Sequence, residues 1–78
     1  MPRYYFDLHE ADQFVRDDVG VVLPDIEAAR DQATRALTEI ARDTLPGTLR
    51  REIAIEVTDE TRAPLLRAGL SFELRKLA

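Results

Sequence analysis

Pro2 is the residue whose position in the chain suggests the most specific chemistry. Removal of Met1, which is usual before a small residue, would leave Pro2 as a secondary amine at the start of a strand. Such an amine can act as a general base or a nucleophile, and Arg3 beside it could hold a carboxylate. The structural alternative is a proline that leads into a strand and keeps a sheet edge from extending. We favour the structural role and predict no catalytic residue.

A group of ionisable side chains near the first predicted turn could surround a cation or act as acid and base: His9, Glu10, Asp12, Asp17 and Asp18. Their spacing matches no calcium-binding loop, and a polar hairpin end accounts for them. Ser71 has no base near it in the sequence, and the three glycines are too isolated to form a phosphate-binding loop. We therefore predict no metal site and no cofactor.

Size and composition limit what the chain can be. Its 78 residues predict a single domain, residues 1–78, and it contains no cysteine and one histidine. The formal net charge is −4, and the acidic residues concentrate in the first half, whereas a nucleic-acid surface needs clustered basic residues. No apolar run is long enough to cross a membrane. These features predict a cytoplasmic protein without a nucleic-acid or membrane partner.

The stretch from Pro24 to Leu45 predicts one long helix. Asp25 is placed to cap its first turn, and Pro46 and Gly47 end it. Apolar residues recur at helical spacing and form one stripe: Ile26, Ala29, Ala33, Ala36, Leu37, Ile40 and Leu45. Ala28 and Ala41 widen this stripe, which is then mostly alanine. Because alanine is small, the helix can lie close to a sheet that supplies the large side chains.

Four strands surround this helix in the predicted order ββαββ. Residues 3–8, 51–58 and 65–74 alternate between apolar and polar side chains, and residues 14–16 should return as a short second strand. The register of that strand is open, so either Phe14 or Val15 could face the core. An extended apolar segment is predicted to lead into the helix: Val21, Val22 and Leu23. The fold class is therefore α+β: a four-stranded antiparallel sheet, order 2-1-3-4, with the helix on one face.

The face of the sheet opposite the helix is the predicted interaction surface. It would carry small, aromatic and charged residues: Arg3, Tyr5, Asp7, Ala54, Glu56, Arg67, Gly69 and Ser71. Such a face could receive a second copy or another protein. The last strand is also a sheet edge and could pair across a two-fold axis. A plain solvated face is the alternative.

Several segments of the chain resemble a family of short bacterial proteins. They are residues 1–8 (MPRYYFDL), Asp18-x-Gly20, Leu23-Pro24-Asp25-x-x-x-Ala29-Arg30, Ile55-x-Val57 and Leu70-Ser71-Phe72-Glu73. The family is common in rhizobia and related alphaproteobacteria and is catalogued as a domain of unknown function. The resemblance covers nearly the whole chain. It implies a fold unit and a bacterial source, and no activity.

Two further resemblances imply functions. The chain is similar to HicB-like antitoxins in its aromatic first strand, its hairpin and its Pro24-Asp25 before the helix, but it lacks their following glycine and a DNA-binding segment. Pro2 resembles the N-terminal proline of tautomerase-superfamily enzymes, which lack the first hairpin. We predict a non-enzymatic interaction module that acts as a homodimer or binds another protein. An antitoxin-like inhibitor and a tautomerase-like enzyme are the alternatives.

Overall fold

The computed structural model describes residues 1–78 and shows an antiparallel sheet of five strands with one helix on one face. The strands are β1 (Arg3–Glu10), β2 (Gln13–Val15), β3 (Val21–Val22), β4 (Arg50–Thr58) and β5 (Pro64–Glu73), and the helix is α1 (Ile26–Thr44). The path across the sheet runs β2-β1-β4-β5, and β3 pairs with β1 beside β2. The α+β class with one helix is confirmed.

Helix α1 begins and ends where the sequence predicts. The carboxylate of Asp25 accepts a hydrogen bond of 2.9 Å from the backbone N–H of Ala28, which caps the first turn. At the other end the N–H of Leu45 donates to the carbonyl of Ala41. Ala29 and Ala33 are completely buried, so the helix backbone lies directly against the sheet.

The core lies between α1 and the middle of the sheet. Its largest fully buried side chains are Ile53, Ile55 and Val57, which alternate along β4 and face the helix. The core cluster contains only seven buried residues, with ten partly buried hydrophobic side chains packed against it. The helix packs mainly on β4 and β5, so the remaining strands contribute less to the core.

The prediction of four strands in the order ββαββ was incomplete, and the order is βββαββ. The additional strand is β3, in which Val21 pairs with Tyr4 and Val22 pairs with Arg3. The sequence analysis predicted these two valines as an extended segment that leads into the helix. Two residues are too few to show a period of two, so the sequence pattern could not reveal this strand.

The second strand resolves the question of register without adding to the core. Phe14 lies opposite His9, on the face away from the helix, and Val15 lies opposite Leu8, on the helix side. Both side chains are more than half exposed, because β2 lies at the outer edge of the sheet beyond the helix. Neither residue therefore lies in the core, where the sequence analysis expected one of them.

Candidate interaction surface

Strand pairing determines which residues share the face away from the helix, here called the open face. Tyr5 is opposite Thr58, Asp7 is opposite Glu56, and His9 is opposite Ala54. Across the next pair of strands, Ala54 is opposite Gly69 and Glu56 is opposite Arg67. Because alternate residues of a strand point to the same side, the predicted residues of β1, β4 and β5 do share this face.

The β1 end of the open face is covered by the chain itself. The guanidinium of Arg62 lies 3.8 Å above the centre of the Tyr5 ring, a cation–π contact. Its Nη1 is 3.8 Å from Oδ1 of Asp7, and its Nη2 donates to the carbonyl of Asp17. Arg62 has φ 68°, a conformation that non-glycine residues rarely adopt, and these contacts hold it there. Tyr5 and Asp7 are therefore committed to contacts within the chain.

Arg3 takes part in the same internal structure. Its Nη1 donates a hydrogen bond of 2.8 Å to the carbonyl of Val19. Gly20, with φ 74°, passes so close that an added Cβ would lie 2.9 Å from Cγ of Arg3 and from the carbonyl oxygen of Tyr4. Only glycine combines this backbone conformation with this close approach. Residues 16–20 are thus fastened to β1, and Arg3 faces them instead of a free surface.

Asp17 completes the outer edge of β1. β2 pairs with the far end of this strand and β3 with its beginning, which leaves the N–H of Phe6 between them. Oδ2 of Asp17 accepts a hydrogen bond of 3.0 Å from that N–H, and Oδ1 accepts from the N–H groups of Val19 and Gly20. The Asp17 side chain therefore takes the place of a missing piece of strand.

The environment of Asp17 favours its ionised form. Partial burial would raise the pKa of its carboxyl group, but the N–H donors of Gly20, Phe6 and Val19 and the charge of Arg62 outweigh burial and lower it. The sequence analysis placed Asp17 in a turn, and its bonds to Val19 and Gly20 are those of such a turn. Its bond to Phe6 joins residues eleven apart, for which no local signal exists.

The β4–β5 half of the open face is accessible along β5, where Arg67, Gly69 and Ser71 are exposed, whereas Ala54 on β4 is buried. A shallow cavity of about 360 Å³ lies over Ala54 and Gly69, with Arg67, Ser71 and His9 among its lining residues. An added Cβ on Gly69 would meet no atom within 4 Å, so no neighbouring side chain covers this glycine. The predicted surface residues Ala54, Glu56, Arg67, Gly69 and Ser71 thus fall in one region. Their joint use as an interaction surface stays a prediction.

The residues that the sequence analysis considered for catalysis do not come together in a reactive group. Ser71 and His9 lie on strands separated by β4, about 10 Å apart, so they do not form a nucleophile and base pair. His9 stacks obliquely on Phe14, with 4.8 Å between ring centres, and its buried Nε2 has no hydrogen-bond partner. Pro2 is exposed, and its carbonyl accepts from the N–H of Leu23.

The acidic residues near the first turn are dispersed. Glu10 pairs with Arg51, Asp18 pairs with Arg16 at 3.2 Å, and Asp17 caps β1. No group of three or more side chains of the metal-binding types comes together. No helix has both the length and the apolar character that crossing a membrane requires.

The free edge of the sheet is β5, and the backbone bonds show which of its groups are unpaired. The N–H of Leu74 donates to the carbonyl of Leu49 across the pair, and partners in an antiparallel ladder alternate. The even-numbered residues of β5 therefore bond to β4. The backbone groups of Arg67, Gly69, Ser71 and Glu73 point away from the sheet, and a register shift between Val57 and Thr58 interrupts the alternation before Leu66.

The fold and this surface define a small α+β domain whose sheet is covered on one face and open along one edge. Residues 3–71 match the family described as "Domain of unknown function (DUF6894)", and the chain belongs to this family. No curated protein and no solved structure matches the chain. The family description states no activity. It says nothing of a HicB-like antitoxin or of a bacterial source, so both stay predictions.

Proposed function

We propose that this protein is a small non-enzymatic interaction module that acts as a homodimer. The difference between the two edges of its sheet carries the proposal. The β1 edge is occupied by β2, the Asp17 side chain and β3, whereas β5 presents ten residues with a free edge. An exposed strand of this length is a template for pairing with another chain, and proteins usually shield such edges.

The distribution of apolar side chains supports the same function. Along β5 the residues facing the helix are only partly buried in the single chain: Leu66, Ala68, Leu70 and Phe72. The radius of gyration is 14.0 Å, whereas a globular chain of this length would have about 11.5 Å. A second copy would cover part of this apolar surface.

The proposal includes the setting that the sequence predicts, the cytoplasm of a bacterium. The interaction partner is a second copy of the chain, and another protein is the alternative partner. A binding role also agrees with where the chemical candidates lie, since Arg3 is held by Val19 and Ser71 lies far from His9. The proposal therefore assigns no catalytic role to these residues.

The mass of the protein in solution tests the proposal. Light scattering behind size exclusion, over a dilution series from about 100 μM to about 1 μM, should give twice the 8.9 kDa mass of one chain, with dissociation only at the dilute end. Circular dichroism on the same samples verifies that the chain is folded. A folded protein that stays at the mass of one chain over the whole series would refute the homodimer.

A further inference from the structure

We propose that the homodimer forms by antiparallel pairing of β5 with β5 of a second copy, with Leu70 lying opposite the partner's Leu70. This inference rests on the proposed function, since it specifies the partner and the surface of that dimer. The two five-stranded sheets would join into one sheet of ten strands. Both helices would lie on the same face, and the open face would remain open.

The direction of the backbone groups restricts the possible registers. The groups that point outward belong to odd-numbered residues, so odd residues must lie opposite odd residues if they are to exchange hydrogen bonds. The two-fold axis can therefore pass through Ala68, Gly69, Leu70 or Ser71, each of which gives a different set of neighbours. The choice among these registers depends on the side chains.

Charge selects the register centred on Leu70. In that register Arg67 lies opposite the partner's Glu73 on the open face, and symmetry repeats the pair. Centring on Gly69 would place Arg67 opposite Ser71, and centring on Ala68 would place it opposite Gly69. Centring on Ser71 would place Arg67 opposite Arg75, with like charges facing each other. Opposite charges directly across a strand pair stabilise it, and like charges destabilise it.

The helix side of the strand is complementary in the same register. Leu70 meets its own copy, Ala68 meets the partner's Phe72, and Leu66 meets the partner's Leu74. Leu74 is 55% exposed in the single chain, so the pairing would remove apolar surface from water. An apolar groove of about 570 Å³ is lined by Phe72 and Leu74 together with the end of α1. The partner's Leu66 would lie across its rim.

Single cysteines locate the two-fold axis, because the natural chain contains none. Facing residues of a non-hydrogen-bonded antiparallel pair have Cα atoms about 4.5 Å apart, within reach of a disulfide. Leu70→Cys should therefore oxidise to a covalent dimer on a non-reducing gel. Ala68→Cys and Gly69→Cys are the matched controls, since each lies on the axis of a different register. Stronger cross-linking at either control position would overturn the proposed register.

Charge reversal gives an independent test of the same pairing. Arg67→Glu and Glu73→Arg should each raise the dimer Kd about tenfold, which is about 1.4 kcal/mol, and the double variant should restore it. Glu60→Arg, in the exposed turn before β5, is the control and should leave the Kd unchanged. A double variant no tighter than the single variants would overturn the proposed pair.

Gly69→Gln separates edge pairing from face-to-face packing. Its side chain would stand up from the open face into unoccupied space, so it should leave an edge-paired dimer intact. A monomeric Gly69→Gln variant that remains folded would show that the dimer uses the open face, which overturns this inference but keeps the homodimer. A natural chain that is monomeric throughout would overturn both.

Discussion

Replacement of Asp17 by alanine should destabilise the fold far more than its place in a surface turn suggests. The change removes three acceptor bonds: one to the partly buried N–H of Phe6 and two to the N–H groups of Val19 and Gly20. A buried N–H left without a partner costs about 1–3 kcal/mol. The bonds from Val19 and Gly20 lie within the turn, and the loss of each adds about 0.5 kcal/mol.

We therefore expect the free energy of unfolding to fall by about 2–4 kcal/mol. A domain of this size has only about 4–12 kcal/mol in total, so the loss is a large fraction. Urea unfolding followed by circular dichroism measures it, with the denaturant midpoint and slope fitted together.

Asp18→Ala is the matched control for this experiment. It removes the neighbouring carboxylate, whose side chain is 79% exposed and lies 3.2 Å from Arg16 and 3.9 Å from Arg62. Exposed ion pairs contribute about 0–1 kcal/mol, so this variant should unfold close to the natural chain. Equal stabilities for the two variants, or an Asp17→Ala variant within about 0.5 kcal/mol of the natural chain, would refute the idea that Asp17 holds the β1 edge.

Three further predictions follow from the same contacts. The lowered pKa of Asp17 means that its ionised form stabilises the fold above the unfolded value of about 3.9, and that this contribution is lost as the pH falls through the folded pKa. The urea midpoint of Asp17→Asn should therefore fall less between about pH 6 and pH 3 than that of the natural chain. Gly20→Ala should lower the stability by about 2 kcal/mol or more, since both the conformation and the space oppose it, whereas Gly47→Ala should cost about 1–2 kcal/mol for conformation alone. Equal thermal shifts in these two variants would contradict the close approach at Gly20. Ile55→Asp should unfold the domain, because it buries an unpaired carboxylate in a site that is 2% exposed. A folded circular dichroism spectrum for this variant would show that Ile55 does not face the core.

The elements with a strong period were predictable from the sequence. Alternation in residues 51–58 identified the buried face of β4, and the alanine stripe identified the face of α1 that touches the sheet. Both rest on patterns long enough to repeat several times, and burial fixes the phase of such patterns. The cap at Asp25 was predictable for a related reason, since an N-cap bond is local.

The parts that escaped prediction depend on contacts between distant residues. β3 has two residues and exists because β1 offers it a partner, and the bond between Asp17 and Phe6 joins separate elements. The same limit affected the predicted surface. Arg62 covers Tyr5 from a turn more than fifty residues away, so the sequence could show that Tyr5 faces away from the helix but not that it is covered.

The occupied edge of the sheet determines how far an association of edges can grow. If both edges were open, each added chain would present a new free strand, and pairing would continue into a fibre. Here the other edge is divided into β2, the Asp17 side chain and β3, so a pair joined through β5 has only strands of three and two residues at its outer edges. Such short, interrupted edges do not continue the pairing, and growth ends at two chains. The single hydrogen bond from Phe6 to Asp17 thus helps to separate a finite assembly from an unlimited one.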